Sequence, residues 1–224
     1  MFNFAEMNNK SETDSDVLED YIAAHIDAEP AALHALYRRT NLTHLYPRMC
    51  SGHVQGRVLR MLVAMAAPRR ILELGAFTGY STLCLAEGMP RGCTLDTVEI
   101  DDEMEQELAD TLAASPRGGD IYLHIGDALE IVPRLEGTWD FVFIDANKRH
   151  YKDYFRMVLD RVPVGGFILA DNTLWGGHLT AHTPVHDAQS RGIAEFNDYV
   201  AACSDVEKII LPLRDGLTIT RRVR

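Results

Sequence analysis

The spacing of apolar positions changes once along the chain, near Pro68. Between Asp16 and Val63, apolar residues recur every three or four positions, which predicts three helices. After Pro68, short apolar runs alternate with helical patterns. This alternation is typical of a parallel, doubly wound α/β sheet with helices on both faces.

Five of the short runs predict strands, at residues 70–74, 94–99, 121–125, 141–145 and 167–170. Helices are predicted between them, at residues 80–87, 102–114, 128–134 and 151–162. A further helix is predicted at 191–202, followed by runs at 208–213 and 217–222. Asp215-Gly216 between these last runs is a tight-turn signal, so we expect the two strands to pair antiparallel.

Composition favours one soluble domain. The chain has 224 residues, of which 46% are hydrophobic and 25% charged. We expect a mobile arm at residues 1–15, which are polar and lack periodic apolar positions, and a single domain at 16–224. The net charge of -11 argues against field-driven attraction to nucleic acid or an anionic membrane, although it leaves room for a local basic groove.

The four cysteines, Cys50, Cys84, Cys93 and Cys203, form no Cys-x-x-Cys pair and no zinc spacing. We interpret them as reduced thiols, which indicates the cytoplasm. No signal-peptide pattern is visible at the start, and the longest apolar stretch, residues 61–67, is too short to span a bilayer.

Oxygen-bearing side chains end two of the predicted strands. Asp145 follows the run Phe-Val-Phe-Ile, and Asp171 and Asn172 follow Phe-Ile-Leu-Ala. The carboxyl ends of parallel strands meet at one edge of a sheet, so these three side chains can converge there. Two carboxylates and an amide suit a hard divalent cation such as Mg²⁺. The alternative is that each Asp caps the helix that follows it.

The first predicted strand runs into a glycine-bearing turn and a helix, an arrangement that lets a ligand approach the backbone. The full Gly-x-Gly-x-x-Gly spacing of a nicotinamide dehydrogenase is absent, and Glu73 before the turn suits a positively charged ligand better than a pyrophosphate. Glu99 ends the second strand, where a carboxylate typically binds ribose hydroxyls. Asp127 either lies at the edge of an adenine ring or caps the helix beginning at Ala128.

These motifs together resemble the class I S-adenosylmethionine-dependent methyltransferases, and within them the cation-dependent catechol and caffeoyl-CoA O-methyltransferases. The resemblance is carried by five segments: Glu73-Leu-Gly-Ala-Phe-Thr-Gly-Tyr-Ser81, Val98-Glu-Ile-Asp101, Ile144-Asp-Ala-Asn-Lys148, Ala170-Asp-Asn-Thr-Leu-Trp175 and Asp215-Gly-Leu-Thr-Ile219. It implies a seven-stranded Rossmann-like sheet with an antiparallel last strand, extra N-terminal helices and a homodimer. It places the following residues at the S-adenosylmethionine: Met49, Ser51, Glu73, Gly75, Phe77, Ser81, Glu99, Ile100, Asp127, Ala128, Asp145 and Tyr154.

The resemblance also implies the chemistry. Asp145, Asp171 and Asn172 would bind Mg²⁺, or Mn²⁺ or Ca²⁺ in its place, and Lys148 would be the general base beside a hydroxyl of a small catechol-like aromatic. Trp175 is expected either in the wall of the acceptor pocket or in the core. His178, His182 and His186 invite a zinc interpretation, which Pro184 disfavours; this loop is rather expected to shape acceptor specificity. Asn147 replaces an Asp that is common in the family.

Two other functions stay open. Some relatives methylate hydroxylated bases in transfer RNA, and a local patch could come from arginines at positions 38, 39, 48, 149, 221, 222 and 224. A cofactor-binding protein without catalysis is disfavoured because binding S-adenosylmethionine alone needs neither the metal carboxylates nor Lys148.

Overall fold

The computed structural model describes residues 12–177, 179 and 187–224, and a seven-stranded sheet forms its centre. Its strands are β1 (Arg70–Leu74), β2 (Thr94–Glu99), β3 (Ile121–Ile125), β4 (Phe141–Ile144), β5 (Phe167–Asp171), β6 (Val206–Leu211) and β7 (Leu217–Arg222). They lie in the order β3-β2-β1-β4-β5-β7-β6. Strands β1 to β5 are parallel, and β7 is antiparallel to both neighbours. This topology confirms the predicted fold.

Helices cover both faces of the sheet. They are α1 (Glu12–Ala24), α2 (Ala31–Thr43), α3 (His53–Ala66), α4 (Tyr80–Gly88), α5 (Glu105–Ala113), α6 (Ala128–Ile131), α7 (Tyr151–Leu159) and α8 (Ala188–Ala202). One core joins the sheet to α6, α7 and α8, and a second joins the opposite face to α3 and α4. Burial on both faces explains why all of β4, Phe-Val-Phe-Ile, is apolar and buried.

Several boundaries differ from the predictions. Helix α1 begins at Glu12, inside the predicted arm; residues 1–11 lie outside the described residues. Helix α6 ends at Ile131 and continues as a short 3₁₀ turn, because Pro133 has no N–H to continue the α-helical hydrogen bonds. Helix α8 begins at Ala188, three residues before the predicted start, because Asp187 caps it by accepting from the N–H groups of Gln189 and Ser190.

Further small shifts occur at other ends. Strand β6 spans Val206–Leu211 rather than 208–213, since Pro212 cannot donate to the ladder. The helix predicted at 102–114 begins with a 3₁₀ turn at Asp102–Met104, and α7 ends at Leu159 rather than at residue 162. Among the described residues, no helix is both long and apolar enough to cross a membrane.

The strand order places a switch point between β1 and β4. From β1 the chain proceeds outward through β2 and β3, and it then returns to build β4 and β5 on the other side. The loops that leave β1 and β4 therefore diverge, and a crevice opens at the carboxyl ends of the strands. This is the end at which Asp145 and Asp171 lie.

Candidate active site

A cavity of about 990 Å³ opens at this end of the sheet. Its walls come from the segments after all five parallel strands and from residues 45–51, which precede α3. Most of the predicted site residues line it together: Met49, Ser51, Gly75, Phe77, Ser81, Glu99, Ile100, Ala128, Asp145, Lys148, Tyr154, Asp171, Asn172 and Trp175. One cavity thus contains both the predicted cofactor residues and the predicted metal residues.

Gly75 forms the turn after β1 in close contact with the end of β4. Its φ is +95°, and a Cβ at this position would lie 2.1 Å from the carbonyl oxygen of Asp145. The Gly75 N–H donates to the Val98 carbonyl at 2.9 Å, and the Asp145 N–H donates to the Leu74 carbonyl at 2.8 Å. Only glycine combines this backbone conformation with this approach.

Glu99, at the end of β2, fastens the same turn. One carboxylate oxygen accepts from the N–H groups of Ala76 and Phe77, at 3.1 and 2.7 Å. The other accepts from Ile100 and Asp101, at 2.9 and 3.0 Å. The side chain is only 8% exposed and lines the cavity, and these four backbone donors already use its four lone-pair sites, so a contact with ribose hydroxyls stays a prediction.

Glu73 is not brought into the cavity, which corrects the expectation that it meets the cofactor. Its side chain is fully buried and accepts from the Thr82 and Thr97 hydroxyls at 2.5 and 2.6 Å. Its other oxygen, Oε1, has no hydrogen-bond partner. Burial raises the pKa of this carboxyl to about 7.

Asp127 takes the capping role that was its alternative. Its side chain is exposed and accepts from the Leu129 N–H at 2.8 Å at the start of α6. Its neighbours Gly126 and Ala128 line the cavity, whereas Asp127 itself does not. A contact with adenine stays a prediction.

Asp145, Asp171 and Asn172 supply the predicted oxygen ligands. Asp171 is 3% exposed; one oxygen accepts from Gln55 Nε2 at 2.7 Å, and the other, Oδ1, is buried without a partner. Burial, and then the nearby charge of Asp145, raise the pKa of Asp171 to about 6. Asn172 has a left-handed backbone, with φ +57°. An unpartnered carboxylate oxygen beside a second carboxylate fits a bound divalent cation, because such an ion offsets both charges.

Lys148 lies within the same group. Its Nζ donates to Asp145 Oδ1 at 2.6 Å and to Tyr151 Oη at 2.7 Å. The lysine side chain is 12% exposed and lines the cavity. The fully buried ring of Tyr151 fixes the position of the ammonium group.

Trp175 lies both in the cavity wall and against the core formed with α6, α7 and α8, and its contact with an acceptor stays a prediction. Its Nε1 donates to Ser190 Oγ at 2.8 Å, which fixes the indole against α8.

His178, His182 and His186 lie outside the described residues. Among the described residues, no group of three or more His, Cys, Asp or Glu side chains is placed to bind a metal.

Sequence reasoning missed one hydrogen-bonded contact at the site. Gln55, on α3, bonds the predicted metal ligand Asp171, and Arg214, in the β6–β7 turn, bonds Gln55 in turn. Gln55 and Arg214 are 159 positions apart in the sequence, and no spacing signal connects them. The sequence offered two signals: Gln55 lies close to the predicted cofactor residues Met49 and Ser51, and Arg214 directly precedes the Asp215-Gly216 turn.

Comparison with known proteins identifies the family. A family model described as O-methyltransferase matches residues 23–223. The chain belongs to this O-methyltransferase family. Caffeoyl-CoA O-methyltransferase 5 of Nicotiana tabacum is 31% identical over 234 residues, covering 97% of this chain and 96% of the tobacco protein.

Solved O-methyltransferase structures share the fold. TomG of Streptomyces achromogenes, which is involved in tomaymycin synthesis and was solved with SAM, is 29% identical, with a TM-score of 0.85 over 96% of this chain and all of TomG (100%). The SAH-bound methyltransferase PaMTH1 of Podospora anserina has a TM-score of 0.88 at 24% identity, over 96% of this chain and 97% of PaMTH1. The protein is an S-adenosylmethionine-dependent O-methyltransferase.

Proposed function

We propose that this O-methyltransferase requires a divalent cation and methylates a small aromatic with adjacent hydroxyls. The observation that carries the proposal is that Asp171, whose buried Oδ1 has no hydrogen-bond partner among the described residues, lines one cavity with Asp145, Lys148 and the Gly75 turn. Binding S-adenosylmethionine alone requires no such pair of carboxylates. A vicinal diol offers two adjacent oxygens for open coordination positions of a hard cation.

The cofactor-binding part of the proposal rests on the β1 and β2 strand ends. Glu99 lines the cavity at the end of β2, where a carboxylate typically binds ribose hydroxyls, and Gly75 lines it at the turn after β1. Ser51 and Ser81 line the same cavity and supply hydroxyls for the polar end of the cofactor. S-adenosylmethionine supplies the transferable methyl group.

The part of the proposal that concerns the cation and the proton transfer rests on the residues that follow β4 and β5. Asp145, Asp171 and Asn172 would hold Mg²⁺, whose charge lowers the pKa of an acceptor hydroxyl. Lys148 would take the hydroxyl proton; the hydrogen bonds from its Nζ to Asp145 and Tyr151, which hold that nitrogen in the cavity wall, support this role. Fixing both reactants in one cavity is worth roughly 7–11 kcal/mol of the barrier.

The cavity also favours an acceptor that carries a negative charge. Arg48 and Arg149 line it, and their guanidinium groups make no ion pair or hydrogen bond with the described residues, although the chain carries a net charge of -11. Trp175 supplies an aromatic wall. The tobacco relative is named for caffeoyl-CoA, an aromatic diol with an anionic carrier. We therefore propose a catechol joined to a carboxylate or phosphate group.

Methyl transfer to a catechol panel tests the reaction. Acceptors with and without an anionic group are compared with Mg²⁺ and with EDTA, in the native protein and in the double variant Asp145→Ala, Asp171→Ala. Asp110→Ala, on the exposed face of α5, is the control. We expect cation-dependent product that the double variant lacks, and Arg149→Gln is expected to raise KM for the anionic acceptors alone. Cofactor binding without transfer to any diol would refute the proposed acceptor class.

Binding of Mn²⁺, followed by electron paramagnetic resonance, tests the cation site without relying on activity. We expect the native protein and Asp110→Ala to bind Mn²⁺, and the double variant to lose it. Equal binding by all three proteins would refute the assignment of Asp145 and Asp171.

The transfer RNA alternative loses part of its support. Arg221 and Arg222 lie beside the amino end of β5, opposite the cavity, and they pair with Glu207 and Asp160 at 3.6 and 3.9 Å. They do not extend a basic surface to the site. Salt-insensitive activity on small diols would confirm the small-molecule acceptor.

The homodimer stays a prediction. Exposed apolar side chains in the N-terminal region are available for a subunit interface: Leu42 on α2, Leu45 in the loop after it, and Met61 and Met65 on α3. Light scattering after size-exclusion chromatography is expected to give twice the chain mass of 25.1 kDa, and a monomer at micromolar concentration would contradict it.

A further inference from the structure

Gln55 connects the predicted metal site to the segment that covers the cofactor. It lies on α3, only 1% exposed, and its Nε2 donates to Asp171 Oδ2 at 2.7 Å. Its Oε1 accepts from Arg214 Nη1 at 2.9 Å. Both ends of the amide are therefore used, and the amide orientation is fixed by a donor at one end and an acceptor at the other.

Arg214 extends this connection to the backbone before α3. The same Nη1 donates to the carbonyl oxygens of Cys50, at 3.2 Å, and of Ser51. The Cys50 and Ser51 segment lines the cavity. Three parts of the chain that are distant in sequence thus meet at one guanidinium group: the segment before α3, α3 itself and the β6–β7 turn.

We propose that Gln55 and Arg214 are positioning residues that hold Asp171 and the Cys50–Ser51 segment in one hydrogen-bonded unit, so that cation binding and cofactor binding depend on each other. The inference rests on the proposed cation site. We call the two residues the anchor pair. Each acts through another group: Gln55 through Asp171, and Arg214 through Gln55 and the Cys50 and Ser51 carbonyls.

The effect on the cation follows from the two oxygens of Asp171. Gln55 occupies Oδ2, which leaves Oδ1, without a hydrogen-bond partner among the described residues, as the carboxylate oxygen free for a cation. Without Gln55 the carboxylate can rotate, and its remaining bonds no longer select one orientation. Removing such an outer partner of a metal ligand typically lowers metal affinity about 10–100-fold.

The effect on the cofactor follows from the two carbonyl groups. Arg214 holds the Cys50 and Ser51 carbonyls, so its loss releases the segment that forms one cavity wall. The cofactor must then order this segment when it binds, and we expect its affinity to fall about tenfold. Because the anchor pair joins the two sites, the coupling is reciprocal.

Two variants separate positioning from folding. Gln55→Met keeps the length of the buried side chain but removes both hydrogen bonds. Arg214→Gly removes the guanidinium group at a position with φ +47°, where glycine relieves backbone strain, so the turn is expected to stay folded. Gln106→Met on the exposed face of α5 and Arg221→Gln on β7 are the matched controls.

The experiment measures Mn²⁺ affinity by electron paramagnetic resonance, and S-adenosylmethionine affinity by calorimetry with and without Mn²⁺. We expect Gln55→Met to lose about 10–100-fold in Mn²⁺ affinity, and both anchor variants to lose the Mn²⁺ dependence of cofactor affinity that the native protein shows. Thermal unfolding identifies any variant whose affinity changes only because it is partly unfolded.

The outcomes are distinguishable. Folded variants with native Mn²⁺ affinity and native coupling would overturn the anchor pair, while the cation proposal would stand. A native protein that binds no Mn²⁺ would refute the cation proposal itself. Loss of affinity in the matched controls as well would assign the effect to general destabilisation and overturn the specific role.

Discussion

Replacing Gly75 by alanine tests whether the turn after β1 and the proposed metal site depend on the same close backbone contact. The added Cβ would lie 2.1 Å from the Asp145 carbonyl oxygen, and real Cβ contacts are not shorter than 3.0 Å. The two backbones must therefore separate by about 0.9 Å, the difference between these distances. Asp145 carries both the ion pair with Lys148 and one oxygen of the proposed cation site.

Two costs add up in this variant. A non-glycine residue at φ +95° is strained by about 1–2 kcal/mol. Overpacking against a backbone that cannot rotate away costs about 1–3 kcal/mol more. We therefore expect Gly75→Ala to lower the free energy of unfolding by about 2–5 kcal/mol.

Gly92→Ala is the matched control. Gly92 has φ +79°, but a Cβ there meets nothing within 4 Å, so only the strain of about 1–2 kcal/mol applies. The entropy that alanine removes from the unfolded chain offsets each value by about 0.4–1 kcal/mol and cancels in the comparison. The difference between the variants isolates the contact with Asp145.

Urea unfolding of both variants, with Mn²⁺ and S-adenosylmethionine titrations of the folded proteins, checks the reasoning. We expect Gly75→Ala alone to lose affinity for both ligands, since its turn and Asp145 move together. If the two variants are equally stable and both keep native affinities, the close approach of Gly75 to Asp145 does not organise the site.

Three further predictions concern single side chains. The pKa of Glu73 is raised from 4.5 to about 7, so the folded protein favours the neutral carboxyl and is expected to lose about 3 kcal/mol of stability as the pH rises from 4.5 to 8. Glu73→Gln is expected to remove this pH dependence in urea unfolding. Glu99→Gln leaves backbone donors unpaired and is expected to weaken cofactor binding about tenfold or more by calorimetry. Trp139→Phe removes a donor to buried Asp96 and is expected to cost about 1–3 kcal/mol of stability with unchanged cofactor affinity.

Periodicity could predict the fold because each strand is buried on both faces or ends at a turn signal. Strands β1 to β3 occur at the predicted positions, and the Asp215-Gly216 turn predicted the β6–β7 hairpin. The errors lie at element ends, where local bonds decide. Asp187 extends α8 through its own cap, and Pro133 and Pro212 end elements that the apolar pattern would continue.

The site was predictable where function depends on strand ends, and not where it depends on distant contacts. Asp145 and Asp171 follow apolar runs and Glu99 ends a predicted strand, so their convergence follows from the parallel sheet. The bonds from Gln55 to Asp171 and Arg214 span 116 and 159 positions, and periodicity carries no information about such pairs. Glu73 was misplaced for a related reason: a strand pattern does not say which face meets the cavity.

Glu73 and Asp171 show how the same local feature serves two purposes. Each is a buried carboxyl group with one oxygen lacking a partner and a raised pKa. Glu73 is sealed from the cavity, so protonation is the means of removing its charge, and threonine hydroxyls satisfy its other oxygen. Asp171 lines the cavity beside Asp145, and the two negative charges repel each other. Protonation of Asp171 relieves this repulsion, and a bound divalent cation relieves it more strongly. Access to the cavity, rather than burial, therefore distinguishes the proposed metal ligand from a structural acid.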